Sequence, residues 1–387
     1  MPPRLEESFA SSLSLGSETE IIPALAGIPA RRGLILFADS ADRPIQMLLC
    51  ADLRRTARAR LLTQNRQMSR KADISRVCTR IYYTCIQSEF ACQKAYITLC
   101  RTYFHDQLAD LVQLPRPCYV KLEVRLKLPW FAVTDKPALD KNTAIWGPFI
   151  TRKNANQYAE ILTKAFGLCR NAECLSSGRY DLCPYYQMKT CPGPCLHPEQ
   201  QAQYQQAIAD AVAVADAGPG EHIATLTASM QTLSKNLEFE KARHVRDQIE
   251  LLKKLTQPEF REIGPLSAFR ILHIDLAQKD KKNLLWIAFV ATASDIRELT
   301  FSLEQLDAVI SAVRDVDTCQ TDTRPAQIQE NLGLICRFLY RSKKAGLWLN
   351  YSDGNGLKPD TLLEQIKIAF PRVSLDFDKM QSQEEAD

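Results

Sequence analysis

Five cysteines, Cys169, Cys174, Cys183, Cys191 and Cys195, fall within 27 residues of one another. Pro184, Pro192, Gly193 and Pro194 lie among them, a density of breaking residues that denies this stretch a regular helix or strand. Thiolates converging on a metal centre staple such a loop, because metal–sulfur bonds replace the hydrophobic core it lacks. Cys183, Cys191 and Cys195 are the firm members of the ligand set. The fourth is Cys174, with eight residues intervening before Cys183, or Cys169, with thirteen; Cys174 is preferred. An all-cysteine site suits zinc or an iron-sulfur cluster equally, and donor chemistry alone puts zinc first. The other eight cysteines, Cys50, Cys78, Cys85, Cys92, Cys100, Cys118, Cys319 and Cys336, stand singly, mostly among apolar neighbours, and are expected to be structural thiols. An odd total of 13 with no secretion signal argues against a disulfide framework.

A second chemistry lies upstream. From Arg54 to Arg80 nine lysines and arginines face the single acid Asp73, a local excess able to neutralise several phosphates. Arg54, Arg55, Arg58 and Arg60 open that run and are the candidate nucleic-acid contacts. His273 and Asp275 alternate along a predicted strand but are expected to be ordinary strand residues without a catalytic role.

These residues need elements to hold them. Gly33 to Phe37 and Pro44 to Leu49 predict a β-hairpin around Asp39-Ser40-Ala41-Asp42, with a helix to follow. Residues 201 to 257 read as helices broken at Ala217-Gly218-Pro219-Gly220. Beyond that break, Ile223, Leu226, Met230 and Leu233 repeat at helical spacing, as do Ala242, Val245, Ile249 and Leu252 after the turn Asn236 to Phe239, which predicts a helical hairpin with a polar face of mixed charge. Past residue 265 the pattern changes to strands (Arg270 to Leu276, Leu284 to Val290) and helices (Glu304 to Val313, Ala326 to Tyr340).

The whole chain has 387 residues, 45% hydrophobic and 24% charged, with a net charge of +4. That is an ordinary globular composition and excludes a disordered or collagenous chain. The longest nearly unbroken apolar run, Leu284 to Ala291, is far below the roughly 20 residues of a membrane helix. Glu6, Glu7, Glu18 and Glu20 are incompatible with a signal peptide, so the expected location is the cytoplasm, with no membrane partner.

Three motifs in one order carry a resemblance. Cys183-Pro-Tyr-Tyr-Gln-Met-Lys-Thr-Cys191-Pro-Gly-Pro-Cys195 resembles the cysteine loop of the UvrC family, a component of excinuclease ABC, with the same seven- and three-residue gaps. Asn236-Leu237-Glu238-Phe239-Glu240-Lys241-Ala242-Arg243, then Arg246-Asp247-Gln248-Ile249, resembles the UVR motif that follows in that family. Trp146-Gly147-Pro148-Phe149 resembles the aromatic-Gly-Pro-aromatic segment that precedes it. The resemblance implies a four-iron, four-sulfur cluster on the cysteines in place of zinc. It also implies that the hairpin docks on the excinuclease B subunit, with Leu237, Phe239, Ala242, Arg243, Arg246, Asp247 and Ile249 as its contact positions.

The family's first nuclease centre is a GIY-YIG domain, and there this sequence departs from the pattern. Gly33-Leu34-Ile35 stands where the family has Gly-Val-Tyr, and Gln46-Met47-Leu48 where it has Tyr-Val-Gly. Leu49, Asp52 and Thr56 replace the lysine, asparagine and arginine, and Lys94 or Tyr96 falls where the metal-binding glutamate belongs. Phosphodiester cleavage needs an activated nucleophile, a carboxylate on a divalent cation and a cation for the developing charge. The expected reading is an α+β multidomain repair protein that binds DNA and the B subunit, with an inactive nuclease centre. The alternatives are an active excision endonuclease using Glu89 as its divalent-cation ligand, and a zinc-stabilised interaction protein. The expected divisions are a tail at 1–30, a degenerate GIY-YIG-like domain at 31–125, the cysteine region at 126–200, the hairpin at 201–257, an α+β domain at 265–375 and an acidic tail at 376–387. The family's second, RNase H-like nuclease has no recognisable counterpart after residue 265.

Overall fold

The computed structural model describes residues 3–16, 18–62, 73–177, 183–279, 284–315, 324–351 and 357–371. Arg66, Arg70, Lys71, Cys319, the turn 280–283 and the expected acidic tail lie outside the described residues.

Three antiparallel four-stranded sheets organise the described residues. The first holds β1 (Ser11–Ser14), β2 (Gly33–Ala38), β3 (Pro44–Cys50) and β4 (Arg80–Cys85) in the order β1-β4-β2-β3. The predicted hairpin is therefore present, with Gly33 opposite Cys50 and Ile35 opposite Leu48. Asp39 shapes its loop by accepting the Ala41 and Arg43 amides on one carboxylate oxygen. Gly33 is required where it stands, since an added Cβ would lie 2.1 Å from the Thr84 carbonyl oxygen. β2 is buried on both faces. On one lie Leu53, Ala57 and Leu61 of α3 (Leu53–Leu61), and on the other Cys92, Tyr96 and Cys100 of α4 (Glu89–Tyr103). Each helix starts at a side-chain cap: the Arg55 amide donates to Asp52, and the Ala91 amide to Ser88.

The expected N-terminal tail is instead part of this unit. Leu5 and Phe9, around the single turn α1 (Leu5–Ser8), and Leu25 and Ile28, in and after α2 (Glu18–Ala26), are buried against the two faces of the sheet, and β1 pairs with β4. Burial of these apolar side chains holds the segment on the sheet.

After the short α5 (Leu108–Leu111), the second sheet has the order β6-β5-β7-β8, from β5 (Cys118–Glu123), β6 (Ala132–Thr134), β7 (Thr143–Phe149) and β8 (Gly264–Pro265). Because β5 pairs with β7 throughout, the second unit begins before Cys118 and not at 126. Trp146 and Phe149 of the aromatic-Gly-Pro-aromatic segment point into its core, where the Trp146 indole N–H donates to Asp216 at 2.7 Å. Packed on this sheet are α6 (Arg152–Ala165) and α9 (Gln201–Ala217), with the short α7 (Ala172–Ser177) and α8 (Pro184–Gln187) between them in the cysteine loop. Then α10 (Gly220–Lys235) and α11 (Phe239–Lys253) form the hairpin, whose base enters the same core through Leu252.

The third sheet, β11-β10-β9-β12, is built from β9 (Arg270–Lys279), β10 (Leu284–Thr292), β11 (Ile296–Phe301) and β12 (Leu347–Asn350). One face carries α12 (Leu306–Arg314) and α14 (Pro359–Ala369). The other meets α13 (Pro325–Leu339) together with Phe90, Ala91 and Ile97 of α4, Tyr119 of β5 and Ile145 of β7. All three units thus share one core cluster at this seam. The predicted α+β, multidomain architecture is the one observed.

Candidate metal centre

The cysteine loop is organised by short turns. Cys169 follows α6, Cys174 lies in α7, and Cys183 caps α8 ahead of Pro184. Cys191 and Cys195 flank a turn in which the Leu196 and His197 amides both donate to the Gly193 carbonyl at 2.9 Å. All five side chains line one small cavity, together with Leu128, Leu175, Tyr186 and Tyr204. Cys183 is buried and the other four are half-buried.

Burial pushes the Cys169 thiol up to about 11, and the neighbouring Cys191, Cys183 and Cys195 push it the same way. Cys195 is raised by burial, with Cys191 and Cys183 adding to it. Cys169, Cys183, Cys191 and Cys195 therefore feel one another electrostatically. Cys174 borders the same cavity and donates its backbone N–H to Asn171 at 3.1 Å. Thiols crowded in this way resist ionisation unless a cation compensates the charge. Among the described residues, no three thiol, imidazole or carboxylate groups stand close enough around one point to hold an ion as placed. The donor chemistry nevertheless fits a thiophilic group, since the lining offers five sulfurs and no carboxylate.

Tyrosines to which the sequence assigned no role complete the cavity. Tyr204 donates its hydroxyl to the Pro129 carbonyl at 2.6 Å and accepts the Cys169 amide at 3.4 Å. Tyr186 reaches His197 Nε2 at 2.9 Å. Tyr186 was legible only as part of Cys-Pro-Tyr-Tyr, and nothing local marks Tyr204.

The single cysteines divide by burial. Cys50, Cys78, Cys92, Cys100, Cys118 and Cys336 are buried, and Cys85 is exposed. His273 is buried, stacked on Trp348 at 3.9 Å and held by Leu347 O. Asp275 is kept protonated more readily than usual by burial, against the pull of a hydrogen bond to Ser88.

At the expected nuclease centre, Ile35 occupies the tyrosine position and is fully buried beside Leu25 and Ile28. Glu89 has one carboxylate oxygen 3.0 Å from Arg341 and the other 3.7 Å from Arg32. Lys94 pairs with Glu298 at 3.0 Å, and Tyr96 is buried. Of the four candidate nucleic-acid residues, Arg55 and Arg58 are exposed and Arg60 is half-buried, while Arg54 donates from Nε to the Ile28 carbonyl at 2.7 Å.

In the hairpin, Leu237 turns the chain in a left-handed conformation, φ 61°. Leu237 and Phe239 are 71% and 62% exposed at the tip, a placement that no packing within this chain requires. Ala242 and Ile249 are buried inside the hairpin, and Arg243, Arg246 and Asp247 lie on its exposed face. Glu238 and Lys241 form an ion pair next to the turn.

Two family models match this chain. The UvrC/Cho excinuclease middle domain matches residues 117–214, and the UvrB/uvrC motif matches residues 221–255. The UvrABC system protein C of Oleidesulfovibrio alaskensis is 26% identical over 278 residues, 67% of this chain and 39% of that protein. The protein of the same description from Coxiella burnetii is 30% identical over 114 residues, 30% of this chain and 19% of that one. The chain is similar to UvrC-family proteins across the middle domain and the hairpin. It spans about two fifths or less of the curated relatives it matches. The UvrC middle-domain match begins at residue 117, in agreement with β5 opening the second unit. No solved structure matches.

Proposed function

We propose that this UvrC-family chain acts in nucleotide excision repair as a non-incising protein that binds DNA and docks on the excinuclease B subunit. The observation that carries this reading is the hairpin tip: the segment matching the UvrB/uvrC motif presents Leu237 and Phe239 to solvent on a rigid antiparallel pair of helices. Exposed apolar anchors flanked by Arg243, Arg246 and Asp247 are what a partner hairpin buries on association. DNA is held through phosphates by Arg55 and Arg58, with Arg60 beside them, while Arg54 serves chiefly to fix α3 to Ile28.

Incision is absent in this reading because the tyrosine position is a buried isoleucine and the one carboxylate of α4, Glu89, is already paired with two arginines. Affinity for a phosphate without a charged group reserved for the transition state gives binding without rate. The cysteine cavity holds a four-iron, four-sulfur cluster on Cys183, Cys191 and Cys195, with Cys174, or Cys169 in its stead, as the fourth ligand, since all five line the same cavity. Such a cluster supplies metal–sulfur bonds that tie the loop together, with zinc the alternative occupant.

The test is one gel of anaerobically purified protein with magnesium or manganese and end-labelled duplexes, with and without a bulky lesion and the B subunit. A mobility shift without cleavage is expected, together with a further shift on adding the B subunit. Specific incision that Glu89→Ala abolishes would restore the endonuclease reading.

A further inference from the structure

We propose that Tyr186 is a positioning residue that locks the cysteine turn around its bound metal group; this rests on the reading of the cysteines as ligands. Tyr186 reaches both sides of the ligand set. Its amide donates to the Cys183 carbonyl at 3.2 Å, which anchors it to the first of the closely spaced cysteines. Its ring lies over Gly193, midway between Cys191 and Cys195: a Cβ added at Gly193 would stand 2.7 and 2.8 Å from two Tyr186 ring carbons, at a backbone φ of 70°. Its hydroxyl meets Nε2 of His197, just after Cys195, at 2.9 Å.

His197 is itself held. Its amide donates to the Gly193 carbonyl at 2.9 Å, and its Nδ1 lies 3.4 Å from Glu199. A carboxylate at Nδ1 favours the proton there and leaves Nε2 to accept from the tyrosine. Tyr186 therefore spans from Cys183, across the turn, to the residues that close it, and one wall of the cavity is its ring. Partners of this kind outside the ligand set orient the ligands, and their removal typically costs 10–100-fold in metal affinity.

The experiment uses the full chain, purified anaerobically, with iron and zinc measured per chain and release to an excess of chelator followed by absorbance. Tyr186→Phe keeps the ring and removes the bond to His197; His197→Leu removes the same bond from outside the cavity. Each is expected to release the group about tenfold faster than the unaltered protein. The double variant is expected to be no faster than either single one, and thermal unfolding of the metal-stripped forms to be unchanged. Release rates equal to the parent in both single variants overturn the inference while leaving the cysteine site intact. Equal losses of stability with and without metal also overturn it, since they mark a merely structural tyrosine. A parent protein carrying neither iron nor zinc overturns the cysteine-site reading, and the inference with it.

Discussion

His273 shows how burial decides the behaviour of a single residue. Enclosed by Trp348, Phe289 and Phe90, it is pushed down to about 4 from its ordinary 6.5 by burial, although the bond to Leu347 O works the other way. Its neutral form is the one the fold accepts. The unfolded chain binds the proton more readily, so stability contributed by neutral His273 is present above about pH 6.5 and is lost as pH falls toward 4, roughly 3 kcal/mol in full. Urea midpoints measured between pH 7 and 4 are expected to fall, and His273→Phe is expected to flatten that dependence. Arg55 and Arg58 make a second prediction at this scale. Each replaced by alanine should weaken duplex binding for all sequences alike and reduce the slope of log affinity against log salt by about one. Arg54→Ala should instead lower stability, because its guanidinium is spent on the Ile28 carbonyl.

At the scale of elements, the hairpin and the cysteine loop were the most legible parts of the sequence. Both are specified locally: the hairpin by helical spacing interrupted at Gly218 and Leu237, the loop by cysteines among prolines. Cys169 and Cys174 could not be ranked that way, and both line the cavity with the other three thiols. The double Leu237→Ser/Phe239→Ser variant is expected to leave the unfolding free energy within about 0.5 kcal/mol of the parent's, since both side chains are largely exposed. The same variant should lose co-purification with the B subunit, and retained binding would count against the hairpin as the docking element. Helix α13 behaves differently. A Cβ at Gly333 would lie 2.6 Å from the Pro115 carbonyl oxygen, so Gly333→Ala must push α13 off the segment that leads into β5. A loss of about 1–3 kcal/mol is expected by denaturant titration.

Across the whole molecule, the seam is held by apolar packing and only trimmed by charge. The pairs Glu89–Arg341, Lys94–Glu298 and Arg101–Glu330 are all partly exposed, and each contributes at most about 1 kcal/mol. Phe90, by contrast, is 1% exposed among Phe289, Phe338, His273 and Trp348. Phe90→Ala should cost about 3–5 kcal/mol. It should also separate tryptophan fluorescence, reporting Trp130, Trp146, Trp286 and Trp348, from far-ultraviolet dichroism in a urea titration that is coincident for the parent. This joining of units was not readable in the sequence. Helix α4 is apolar on two sides, toward Cys92, Tyr96 and Cys100 of the first unit and toward Phe90, Ala91 and Ile97 of the seam, so no single stripe stands out. The first thirty residues were misread for a related reason, since their few buried side chains are scattered among charges.

Helix α4 also sets an order of events during synthesis. Residues 89–103 leave the ribosome early, yet the surfaces that cover Phe90 and Ile97 are made from Leu266 to Leu339. At about 5–20 residues per second, that face waits on the order of ten seconds or more for its partner. A nascent chain stalled before Leu266 therefore displays an apolar helix face still missing most of the surface that buries it, which makes this interval the one in which a chaperone has most to protect.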